Sequence, residues 1–159
     1  MALFPKRVRL GVAMFVAALF TQPAGAELAT WDQTRVTEIA QQLAKACDAW
    51  RLALREQPSE QIGSGDAFDE FGLLQKAQVL HEQSGALAGH LAEGKGHDET
   101  RDLYRALREV VDDTDVQAQQ AELEEPTLDA WAQVADLMRQ IAPYYDPTAL
   151  DEPKQGAGG

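Results

Sequence analysis

The sequence predicts an all-α protein, an up-down-up-down four-helix bundle behind a cleaved signal peptide. Three observations carry this. Residues 1–26 run basic, then apolar, then small, the order of a secretory leader. Beyond them, apolar residues recur at steps of three and four in four separate stretches, with no strand-like alternation. Short polar loops join the stretches, which sets neighbouring helices antiparallel.

In the leader, Lys6, Arg7 and Arg9 form the basic part and residues 10–20 (LGVAMFVAALF) the apolar part. Ala24-Gly25-Ala26 is a small-x-small cleavage site. The apolar part is too short for a membrane-spanning helix, which takes about 20 residues. The mature chain is therefore expected to begin at Glu27, to have no integral membrane segment and to be periplasmic or secreted. No cysteine stands at the cleavage site, which argues against a lipid anchor. Residues 27–145 are expected to form the bundle domain. Residues 146–159, rich in Pro, Gly and charge, read as a disordered tail.

The first helix is expected over residues 31–57. Thr30 and Gln33 have capping-box spacing, and the apolar stripe is Val36, Ile39/Ala40, Leu43, Cys47, Trp50 and Leu54. Pro58 and the polar run 59–66 end it. The second spans residues 67–93, with Asp66 as N-cap and Asp69, Phe68 and Phe71 near its start. Its stripe is Leu73, Ala77, Leu80, Ser84, Leu87 and Leu91, and Gly94 and Gly96 stop it. The third spans residues 99–123, capped by Asp98 or Thr100. Its stripe is Leu103, Leu107, Val110/Val111, Thr114, Ala118 and Ala121. The fourth follows Pro126 with Thr127 as N-cap, carries Leu128, Trp131, Val134/Ala135, Met138 and Ile141, and ends at Pro143. A helical hairpin pair that completes its core by dimerising is the alternative packing.

Composition narrows the function. The formal charge is -12. Loss of a leader with three bases and no acids takes it to -15. Such a surface repels nucleic acid and anionic membranes and attracts cations or basic partners. The one cysteine, Cys47, allows no internal disulfide and sits on an apolar stripe, as a small core residue does. The chain has no C-x-x-C-H haem attachment and no pair of E-x-x-H motifs for a di-iron site. H-E-x-x-H is also missing, because His81-Glu82 is followed at the last position by Gly85. An EF-hand loop, a phosphate-binding glycine loop and a G-x-S-x-G elbow are absent too.

Some constellations still bear chemistry. His81 lies beside the second stripe, at i+4 from Ala77, and Met138 lies on the fourth. Facing one another, an imidazole and a thioether suit non-covalent haem or copper. His90 and His97 flank Glu93 at the end of the second helix, where they are candidates for a zinc or copper site. Glu109, Asp112 and Asp113 share a face of the third helix, as do Arg101, Arg105 and Arg108. The acids read as a solvated face, as a weak calcium or magnesium site or as a dock for a basic protein. The arginines read as intrahelical ion-pair partners or an anion site. Trp50 and Trp131 fit the core. Trp31 and Tyr144-Tyr145 fall at one bundle end, where they cap the core against each other or bind a partner.

In layout the chain resembles small exported bundles such as cytochrome c prime. That is a likeness of architecture alone, because the haem motifs are missing. The expectation is a non-enzymatic, exported acidic bundle that binds a partner protein or small ligand, or pairs as a homodimer. A metal- or haem-binding bundle is the alternative.

Overall fold

The computed structural model describes residues 27–57, 67–121 and 123–147, with side chains omitted for residues 67–71. The leader, the Asp66 cap, the Asp69, Phe68 and Phe71 side chains and residues 148–159 of the expected tail lie outside the described residues.

Four helices make an all-α four-helix bundle: α1 (Gln33–Glu56), α2 (Ala67–Ala92), α3 (His97–Gln120) and α4 (Glu125–Ile141). A 3-10 turn, Ala142–Tyr144, follows α4. Contacts between helix ends fix the up-down-up-down course. Gln33 Nε2, at the start of α1, donates to Leu91 O at the end of α2 (2.9 Å). Lys76, early in α2, pairs with Asp113, late in α3. Trp131 Nε1, early in α4, donates to Asp115 Oδ1, late in α3 (2.9 Å). Helix α1 packs closely on α2 and α4, and α2 on α3, while α3 and α4 stand further apart. No helix among the described residues is long and apolar enough to cross a membrane.

The stripes are buried much as the periodicity predicts. Val36, Leu43, Cys47, Trp50, Ala77, Leu80, Leu87 and Leu107 are fully enclosed. Trp50 meets Trp131 at 4.7 Å between ring centroids, tilted by 48°. Such a pair adds about 1 kcal/mol beyond the area it buries. Three buried hydroxyls bond back along the chain to backbone carbonyls. Thr114 Oγ1 donates to Val110 O (2.6 Å), Thr100 Oγ1 to Gly96 O (2.8 Å) and Ser84 Oγ to His81 O (3.2 Å). That bond is what lets a polar side chain sit on a core stripe without an unmet donor.

The helix starts differ from expectation. Asp32, and not Thr30, caps α1, its carboxylate accepting from Arg35 N at 3.0 Å. Gln33 is thereby released from a capping box to bridge α1 to α2 and the loop behind it, through Leu91 O and Lys95 O (3.1 Å). Helix α3 starts at His97 with Gly96 as N-cap, and the Glu99 side chain accepts from Gly96 N (3.0 Å). Asp98 sits in its first turn and Thr100 in the core. Helix α4 starts at Glu125 with Glu124 as N-cap and Pro126 in the first turn, where its missing N–H costs nothing. Thr127 is therefore inside the helix and buried, and Leu128 turns out to solvent, 46 % exposed. On α3, Tyr104 takes the core place expected of Leu103, which is only partly buried. Gly94 ends α2 as expected, at φ 84°.

Candidate functional site

One pole of the bundle gathers the start of α1, the α2–α3 loop and the turn after α4. Ala29 N donates to Pro143 O at 2.8 Å, which ties the two described ends of the chain together. Trp31 then lies edge-on to three rings: Tyr145 at 5.5 Å, His97 at 5.7 Å and Tyr144 at 6.3 Å. Beneath it, Tyr145 stacks on Tyr104 at 4.4 Å and on His97 at 5.5 Å. The Tyr145 hydroxyl shares a buried hydrogen bond with Thr100 Oγ1 (2.8 Å). Trp31 Nε1 donates to Gln33 Oε1 (3.0 Å), so Trp31 is fastened to the residue that also fastens α2. The aromatic residues at this end thus cap the core against each other. Burial pushes the Tyr104 and Tyr145 hydroxyls up, against the pull of Arg108 beside Tyr104 and of Thr100 beside Tyr145.

The two pairs read as ligands from the sequence fall in different places. His81 is half-exposed in the α1–α2 groove, its Nδ1 3.5 Å from Asp48 Oδ1, too long for a formed hydrogen bond. The same carboxylate accepts from Arg51 at 2.6 Å, and that hydrogen bond holds Asp48 below the usual carboxylate range. Met138 is a core residue of α4, on the diagonal from α2. Of the second set, Glu93 pairs with Lys95 (3.2 Å), and His97 pairs with Asp98 (2.8 Å) while stacked in the aromatic cap. His90 is half-buried in the last turn of α2. Among the described residues no group of three or more His, Cys, Asp or Glu is placed to hold a metal ion. Cys47 is buried, and desolvation pushes its thiol up to about 11, against a hydrogen bond from Ser84.

The charged faces of α3 and α4 are the remaining chemistry. Arg101 and Arg105 approach Asp102, Arg108 pairs with Asp112 (3.0 Å), and Arg139 with Asp136 (3.2 Å). Trp131 and Gln119 hold Asp115. Exposed Glu109, Glu124, Glu125 and Asp129 make no ion pair among the described residues. Three of these four stand at the N-terminal end of α4, on the pole opposite the aromatic cap. Glu124 and Glu125 are legible in the sequence as acids that follow the third helix, but only the start of α4 at Glu125 puts Asp129 one turn beyond them.

No protein-family model, no curated protein and no solved structure matches this chain.

Proposed function

We propose that this is an exported, non-enzymatic binding protein, which loses residues 1–26 and uses its acidic helical surface to hold a basic protein partner. The observation that carries the reading is the group of Glu124, Glu125 and Asp129, exposed at the start of α4 and in no ion pair among the described residues. Carboxylates left unpaired in a chain of net charge -12 are free to neutralise someone else's cations. The leader pattern supports export.

The test uses the chain 27–159 and an oligolysine peptide as probe. Affinity is expected to fall steeply with salt, and to fall about tenfold in Glu124→Gln/Glu125→Gln/Asp129→Asn, since each tenfold is 1.4 kcal/mol. Affinity that ignores both salt and the triple substitution would sink the reading. N-terminal sequencing of exported protein tests the leader separately, with Glu27 the expected first residue.

A further inference from the structure

One seam of the bundle is less closed than the rest. Helix α1 packs closely on α2 and α4, and α2 on α3, but α3 and α4 stand further apart. The buried stripe of α4, Thr127, Trp131, Val134, Met138 and Ile141, has a shoulder on either side. Ala130 and Leu137 make one shoulder, partly buried and packed on the core. Leu128, Ala132 and Ala135 make the other, at i, i+4 and i+7. Leu128 is 46 % exposed, Ala132 is exposed and Ala135 half-buried. Since α4 packs closely on α1 and not on α3, the covered shoulder is the one toward α1 and the open one runs along α3. Trp131 crosses the seam there to Asp115.

The charge around the start of this shoulder is of one sign. Glu124 and Glu125 lie one turn before Leu128 and Asp129 next to it, and none of the three is in an ion pair among the described residues. Asp115, across the seam, is bonded by two neutral donors, Trp131 Nε1 (2.9 Å) and Gln119 Nε2 (2.6 Å). They satisfy its oxygens and leave its charge in place. Arg108 and Arg139 are already paired, with Asp112 and Asp136. A second copy of this chain is a poor occupant, because a two-fold contact through this face sets acids against the same acids.

We propose that the α3–α4 seam docks a basic amphipathic helix of a partner protein. The aliphatic face of that helix lies against Leu128 and over Ala132 and Ala135, whose small side chains leave room for larger ones. Its lysines or arginines meet Glu124, Glu125, Asp129 and Asp115. Helix-in-groove recognition of this kind takes its contact area from the apolar face and its register from the flanking charge. The proposal rests on the reading of the acidic start of α4 as a dock for a basic protein, and adds the form that the partner takes.

The experiment offers the chain 27–159 two peptides as long as α4, 17 residues, made of leucine and lysine in the same proportions. One places leucine at helical spacing and the other is scrambled. Their charge is equal, so a dock that reads charge alone binds them equally. The patterned peptide is expected to bind at least about tenfold tighter, and Leu128→Ser to remove that advantage while leaving the scrambled peptide as it was. Leu52→Ser, at a leucine on α1 that is 45 % exposed, is the control and is expected to change neither. Both variants replace exposed side chains, and circular dichroism checks that they remain helical. Backbone amide shifts at Leu128, Ala132, Ala135 and Asp115 are expected to move with the patterned peptide. Equal affinity for the two peptides, still lost in Glu124→Gln/Glu125→Gln/Asp129→Asn, overturns this proposal and leaves the basic-partner reading standing. A preference that survives Leu128→Ser overturns it too. Absence of salt-sensitive binding by either peptide overturns both readings. A dimer that Leu128→Ser dissociates in sedimentation overturns the proposal by making a second copy the occupant.

Discussion

Cys47 and Asp32 show how much a single side chain settles here. The Cys47 thiol is enclosed between α1 and α2, and its pKa is raised to about 11. An acid whose folded-state pKa is raised gives stability that is complete below its unfolded value, about 8.5, and is lost as pH rises through the folded value. Thermal unfolding of the chain 27–159 is therefore expected to weaken between about pH 9 and about pH 11. Tyr104 and Tyr145 are shifted in the same direction and add to the loss. Cys47→Ala isolates the thiol: the variant starts less stable and loses less over that interval. The native thiol should also resist a maleimide until the chain unfolds, and rapid labelling of the folded protein would contradict its burial. Asp32 was hidden by its neighbours. Thr30 with Gln33 satisfies a capping pattern on paper, but the carboxylate two residues closer to Val36 reaches Arg35 N. Asp32→Ala is expected to cost about 1 kcal/mol in urea unfolding, and Thr30→Ala close to nothing.

At the scale of elements, α2 carries its own contrast. Gly85 and Gly89 lie on its exposed face, and a Cβ at either meets nothing within 4 Å. Gly94 ends the helix at φ 84°, where an L side chain is strained whatever the space. Gly85→Ala or Gly89→Ala is expected to stabilise by about 0.5–1 kcal/mol, by reducing the freedom of the unfolded chain. Gly94→Ala is expected to destabilise by about 1 kcal/mol. The reverse order in urea midpoints would mean that α2 does not end where described. The four helices were legible because their stripes repeat at three and four, and that period survives any local detail. The starts were less legible. Periodicity says which face is buried, while a cap depends on one or two hydrogen bonds that several neighbouring residues can make. Leu128 is the clearest case. Read with Thr127 as cap it belongs to the stripe, but the helix starts three residues earlier, at Glu125, and its buried face runs through Thr127, Trp131, Val134, Met138 and Ile141, leaving Leu128 outside. Tyr104 escaped notice because Leu103 beside it is the more apolar residue, and only the stacking on Tyr145 draws the ring inward.

Across the whole molecule, the balance between ion pairs and net charge decides how the fold answers to salt. Half of the ion pairs among the described residues are local, one turn apart on a single helix, and such pairs are worth about 0.3–0.5 kcal/mol each. Against them stands the mutual repulsion of a chain carrying -12, deepening to -15 without the leader. The acidic character was plain from composition, but the places where it goes unneutralised depend on which arginines reach which acids. Glu109 lies one turn before Asp112 and Asp113, and those two are engaged by Arg108 and Lys76 while Glu109 is not. Screening shortens the reach of repulsion from about 30 Å at 0.01 M salt to about 8 Å at 0.15 M. It removes long-range repulsion over the whole surface and leaves contacts of 3–4 Å largely in place. The melting temperature of the chain 27–159 is therefore expected to rise with sodium chloride over that range. Glu109→Gln is expected to raise it at low salt by an amount equivalent to a few tenths of a kcal/mol, and to lose that advantage at high salt. A melting temperature that falls as salt is added would mean that the ion pairs outweigh the net charge. It would also weaken the case that Glu124, Glu125 and Asp129 stand ready for a basic partner, since both rest on the same surplus of unpaired carboxylate.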